Sequence, residues 1–300
     1  MMFSHLKRSP MLTPTKGERL TRHPVVVLLL FLAVMLVAQW GRNELYTAGV
    51  LLIPGINTPT ERMLLQVYVT VWTVICVLFF CLLVERRSLA SLGFSLRGGF
   101  LEYGVGLAGG LVLFGAAVLL AVLTGTVTLS PVKYGSSLLL LPLFFVGFLI
   151  QGMSEELLCR SYLMISLSRK WPVWIGVVGN ALLFSLLHLG NPNVSPIALT
   201  NIFLFGLFAS VLTLRRGSIW MAGAIHSMWN FAQGNLFGIP VSGLTGLPSP
   251  LEATIKEGTW QTLISGGKFG LEGGLAVTVV LTAACGLVLF LPKLSRKGEL

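Results

Sequence analysis

Eight stretches of about 20 residues, each apolar and nearly free of charge, constrain this chain more than any other feature. They run over Pro24–Trp40, Met63–Val84, Phe100–Thr124, Leu138–Met164, Pro172–Leu189, Pro196–Leu214, Ser218–Ile239 and Leu271–Leu291. In hydrocarbon every backbone N–H and C=O must find its partner within the segment or a closed barrel, so such runs become helices. The expected fold is all-α, a polytopic transmembrane helical bundle of about eight spans. A hydrophobic fraction of 54% with 11% charged residues belongs to the same class. No small-x-small cleavage site follows the first run, which therefore reads as a signal anchor.

Lys and Arg set the expected orientation. With the N-terminus cytoplasmic, the inner side receives Lys7, Arg8, Lys16, Arg19, Arg22, Arg86, Arg87, Arg97, Arg169, Lys170, Arg215, Arg216, Lys293, Arg296 and Lys297. The outer side receives only Arg42, Arg62, Lys133, Lys256 and Lys268. That three-to-one bias puts both termini in the cytoplasm and explains the net charge of +10 without a nucleic-acid partner. The chain divides into a basic, mobile cytoplasmic arm (1–23), N-terminal spans (24–136), a core of spans (137–239), an outer loop (240–270) and a last span with its tail (271–300). The outer loop is long, rich in Gly and Pro, and carries Trp260.

Several function classes drop out. All 11 acidic residues are Glu, which removes aspartyl dyads, Asp-oriented Ser-His triads, EF-hands and Walker-B sites. Cys76, Cys81, Cys159 and Cys285 sit in apolar runs without CxxC spacing, so they read as small packing residues. His5 and His23 lie in the polar arm. Gly104–Gly109 satisfies GxGxxG but lies inside an apolar run, where Gly106 and Gly110 form a small-xxx-small pair suited to close helix packing.

The chemistry gathers at Gln151–Arg160, where Glu155, Glu156 and Arg160 follow the charge-free run Leu138–Ile150. An ionisable group at membrane depth costs about 3 kcal/mol on insertion scales and is a functional hypothesis by default. Glu156 and Arg160 stand four apart on one helical face, in the favourable acid-before-base order. Glu155 points about 100° away and lacks that partner, which suits it to accept a proton. A helix leaving the membrane, with all three charges among headgroups, accounts for this cluster equally well. His188 ends Phe184-x-x-x-His188, and His226 opens His226-x-x-x-Asn230, each pair sharing a helical face. A lone His in a span is more often an interhelical hydrogen-bonder than a catalyst. Three spans supplying one Glu, two His and one Asn shift the balance, because they hold a base, a second proton carrier and two oxyanion donors. Those are the parts for hydrolysing an amide without a covalent enzyme intermediate.

In that order on successive spans, Glu155-Glu156-x-x-x-Arg160, Phe184-x-x-x-His188 and His226-x-x-x-Asn230 resemble the CAAX protease and bacteriocin-processing family (CPBP, or Abi) of intramembrane endopeptidases. Phe205-Gly206 and Gly217-Ser218 fit as well, and the resemblance covers about residues 138–231. Ser161 departs from the Gly that members often carry after the Arg. The resemblance implies a metal-independent glutamate protease needing no cofactor. It also implies that Glu155 and His188 activate water, that His226 and Asn230 stabilise the oxyanion, and that Glu156, Arg160 and Phe184 support the site. Its implied partners are membrane lipid and a membrane-bound or lipidated peptide or protein substrate, and its implied location is a bacterial plasma membrane.

Two other readings stay open. Glu155, His188 and His226 supply ligand types for a zinc protease, although no HExxH is present. A transporter or passive scaffold with buried proton-carrying groups is the other, although the chain shows no pair of similar halves. Depth also sets a condition. Glu155 lies about 25 Å along the fourth span at 1.5 Å per residue, whereas His188 ends the fifth near the outer face. The two meet only if the fourth helix is long or tilted, or if the limits of the fifth span differ from those drawn here.

Overall fold

A computed structural model describes residues 5–19, 23–95, 98–132 and 136–290. Each apolar stretch becomes a helix. In chain order these are α1 (Pro24–Leu52), α2 (Pro59–Val84), α3 (Gly99–Leu123), α4 (Leu138–Ser168), α5 (Val173–Leu186), α6 (Pro196–Arg216), α7 (Trp220–Phe231) and α8 (Leu275–Phe290). The bundle is all-α at 72% helix. Helices α1, α2, α3, α4 and α6 are long and apolar enough to cross a membrane; α5 and α8 are shorter apolar helices. Proline opens α1, α2 and α6 at the first turn, where its missing N–H breaks no intrahelical bond. At the start of α2, Thr58 and Glu61 close a full capping box. Exposed Leu29, Leu36, Phe100, Leu101 and Leu139 give the outside the apolar surface that lipid requires.

Helix α7 lies at the centre. Nine of its twelve residues are buried, so it faces protein rather than lipid. Two neighbours reach it through glycines. A Cβ on Gly106 or Gly110 of α3 would fall 2.7 Å from the Met221 carbonyl or 2.6 Å from that of Ile225. The GxGxxG segment thus packs helices, as its apolar setting implies. On α4, Gly152 presses on Ser227 so closely that a Cβ would stand 2.7 Å from the Ser227 backbone nitrogen.

One feature is added to the all-α bundle and two expectations change. The bundle carries a small antiparallel ribbon, β1 (Val127–Pro131) with β2 (Leu251–Ile255), in the register Leu129↔Ala253. It ties the loop after α3 to the segment 240–270. The described part of the N-terminal arm is docked rather than mobile, because its apolar Leu6 and Met11 are buried against Met164, Ile165 and Val173. Arg169 holds it there by donating to the Met11 carbonyl (2.8 Å) and the Glu18 carboxylate (2.7 Å). Burial opposes ionisation of Glu18, yet the Thr15 hydroxyl and the Arg169 charge hold its carboxyl below the ordinary value. Arg42, counted above as an outer flank, sits within α1, because that helix continues to Leu52. Of the cations used for orientation, Arg22, Arg97, Lys133, Lys293, Arg296 and Lys297 lie outside the described residues, as does Leu291 of the last run.

Candidate active site

Helix α4 brings the two glutamates to the centre of the bundle at a change in its own winding. Residues Leu141–Glu156 are α-helical, and Leu157–Met164 widen to a π-helix. Helix α7 does the same one residue after Phe231, over Ala232–Leu236. Such widened turns are uncommon and collect at functional sites.

Glu156 and Arg160 are fully buried and paired, Nη1 to Oε1 at 2.9 Å. The guanidinium carbon stands 4.2 Å from the centroid of the Phe184 ring, a cation–π contact that compensates part of its desolvation. The same Oε1 of Glu156 meets His226 Nδ1 at 2.8 Å. That oxygen also accepts from the guanidinium, so an imidazole protonated on Nδ1 donates to it as a second partner. That bond turns Nε2 toward Glu155, whose Oε2 is 3.7 Å away. His226 thus stands between two carboxylates from one helix, with Phe205 against its ring at 4.9 Å between centroids.

Glu155 occupies the wetter side. Its Oε1 accepts from Gln151 Nε2 at 2.6 Å, and Gln151 Oε1 accepts from Asn230 Nδ2 at 3.0 Å. Asn230 keeps a second amide hydrogen. His188 lies just beyond the end of α5, with Nδ1 2.8 Å from the Phe184 carbonyl and its ring 4.9 Å from that of Phe184. Glu155, His188, His226 and Asn230 all line one cavity of about 650 Å³. Helix α4 has 31 residues, and His188 hangs from the turn that follows α5. Among the described residues, no group of three or more His, Cys or Glu is arranged to hold a metal ion.

Three features escape the sequence reading. Gln151, four residues before Glu155, links that carboxylate to Asn230; the spacing that pairs Glu156 with Arg160 would have found it. The bond from Glu156 to His226 joins residues 70 apart and has no local signal. Arg42 lines the cavity from α1, and a boundary drawn at Trp40 hides it.

The described chain is thus a helical bundle with five membrane-length helices, in which Glu155, His188, His226 and Asn230 line one cavity. Residues 137–232 match the family described as Rce1-like, type II CAAX prenyl endopeptidase Rce1-like. This match supports the CAAX protease and bacteriocin-processing family and implies a protease. No curated protein matches the chain.

Proposed function

We propose that this chain is an intramembrane glutamic endopeptidase cleaving peptide bonds of a membrane-associated protein or peptide. The observation that carries this reading is the convergence of Glu155, His188, His226 and Asn230, from three helical segments, on one cavity. A lipidated peptide is the substrate class that the matched family's description suggests. Glu155, aided by His188, takes a proton from water as the oxygen attacks the peptide carbonyl. The carbonyl oxygen becomes an oxyanion, held by the second amide hydrogen of Asn230 and by His226, which in its doubly protonated form offers Nε2–H. The intermediate collapses as the C–N bond breaks, and the proton on Glu155 passes to the leaving amine. Glu156 keeps His226 in register, and Arg160 with Phe184 keeps Glu156 in place.

The test compares the N-terminal peptides of membranes holding native protein, Glu155→Gln or Asn230→Ala. Glu155→Gln preserves shape and removes the base, so turnover falls about 10²–10⁴-fold while substrate is still bound. Asn230→Ala loses an oxyanion donor and costs about 10²–10³-fold in kcat. Neither loss is restored by zinc. Unchanged peptide profiles in Glu155→Gln membranes would return the chain to the scaffold reading; chelator-sensitive cleavage restored by zinc would favour the metalloprotease.

A further inference from the structure

The cavity has a feature that hydrolysis does not use. Arg42 projects into its wall from α1, outside the family-matched segment 137–232. Gly41 sets its position: α1 lies so close to Trp72 of α2 that a Cβ at Gly41 would overlap the indole. One guanidinium nitrogen, Nη2, donates to Gln39 Oε1, and Gln39 Nε2 donates in turn to Asn43 Oδ1 at 2.9 Å. The head group is therefore oriented by its own helix, yet Nε is buried with no hydrogen-bond partner. Among the described residues, Arg42 forms no ion pair. A half-buried guanidinium whose Nε has no hydrogen-bond partner keeps capacity for an acceptor from the cavity.

Both carboxylates of the cavity take hydrogen bonds from other groups, while the charge of Glu155 also acts on Arg42 without forming an ion pair. Glu155 receives Gln151 and faces His226. Glu272 receives the Ser242 backbone N–H and hydroxyl, both at 2.8 Å, and Gln233 at 3.2 Å. Among the described lining residues, Arg42 is the one Lys or Arg. An acidic group entering the cavity meets repulsion from Glu155 and Glu272 and attraction at Arg42. The planar fork of Arg matches a carboxylate bidentately, and Gln39 holds it ready for one.

We propose that Arg42 is a specificity residue that anchors a carboxylate of the substrate peptide while Glu155 addresses the scissile bond. This rests on the endopeptidase reading. The carboxylate comes from a peptide C-terminus or from an acidic side chain, and the test separates the two. Full-length protein in liposomes is given a position-randomised set of acylated, internally quenched peptides. Each is made in four matched forms, with a C-terminal acid or amide and an internal Glu or Gln. Native protein, Arg42→Gln and Arg42→Lys are compared for cleavage, and the same peptides are bound to the Glu155→Gln protein with and without Arg42→Gln. The native protein should prefer one carboxylate form about 10–100-fold in kcat/KM, the worth of a charge-assisted hydrogen bond. Preference for the acid over the amide assigns the C-terminus; preference for Glu over Gln assigns the side chain. Arg42→Gln should collapse that preference to about two-fold through KM, and Arg42→Lys should recover part of it. Loss of kcat on all four forms alike would show that Arg42 serves Glu155 instead and overturn the proposal. So would a native enzyme that cleaves all four equally, although that leaves the protease reading intact. Arg42-dependent binding of carboxylate peptides with no cleavage would sink the protease reading and keep the anchor. Neither cleavage nor carboxylate-dependent binding would remove both. Thermal unfolding of each variant in detergent excludes misfolding as the cause.

Discussion

Arg160 shows how much one buried side chain holds here. It pairs with Glu156, lies over Phe184, and leaves Nε and Nη2 without hydrogen-bond partners. Its worth is therefore mostly in neutralising Glu156, which in turn holds His226. Arg160→Ala leaves a carboxylate buried and uncompensated, at a cost of about 3–5 kcal/mol. Adding Glu156→Gln removes that charge and should recover part of the loss of thermal stability in detergent, but not the activity, since His226 loses its ionic anchor. An Arg160→Ala protein that melts with the native one would mean that the pair is hydrated and contributes little. At this scale the sequence is partly legible. Spacing of four exposes Glu156 with Arg160, Phe184 with His188, and His226 with Asn230. It is silent on which glutamate His226 touches, because that choice depends on how α4 and α7 cross.

The crossing belongs to the elements. Gly152 sits one turn before Glu156, and the absence of its Cβ lets α4 close on Ser227 of α7. Gly152→Ala must push the helices apart, because the obstructing atoms include the Ser227 backbone. Overpacking of this kind costs about 1–3 kcal/mol. A displacement near 1 Å is expected to lower activity about 10²-fold, a larger effect than the stability change implies. Gly115→Ala on α3 meets nothing within 4 Å and is the matched control. Normal activity in Gly152→Ala, measured on the same peptides, would show that this close approach does not set the site. Helix identity was legible throughout from the apolar runs. Helix ends were not: α1 runs on past Trp40 through polar residues, and the π turns after Glu156 and Phe231 carry no composition signal. Both arise from packing and intrahelical bonding across neighbours.

For the molecule as a whole, charge and packing meet at one end of the bundle. The docked arm lies against Arg169 at the end of α4 and near Leu214 at the end of α6, where the basic side was expected. We expect that end to face the cytoplasm, with segment 240–270 on the other side. A reporter fused after Leu300 should read out inside; an external signal would reverse the assignment. At the opposite end, Glu272 grips Ser242, and Leu244 and Leu247 reach the cavity wall. Part of the segment thus borders the cavity.

Composition alone determined the solvent of this protein. A chain with eight apolar stretches has to become helices, because lipid offers backbone groups no other partner. Local spacing determined which polar side chains share a face, since the helical period is the same in any fold. Convergence was left to the tertiary structure. Glycines at 106, 110 and 152 set how closely α3 and α4 approach α7, and that approach decides that His226 bridges Glu155 and Glu156. Arg42 joins the same cavity from more than 100 residues away, because the fold wraps α1 around it. Such contacts depend on distances between helices, which no periodicity along one chain contains.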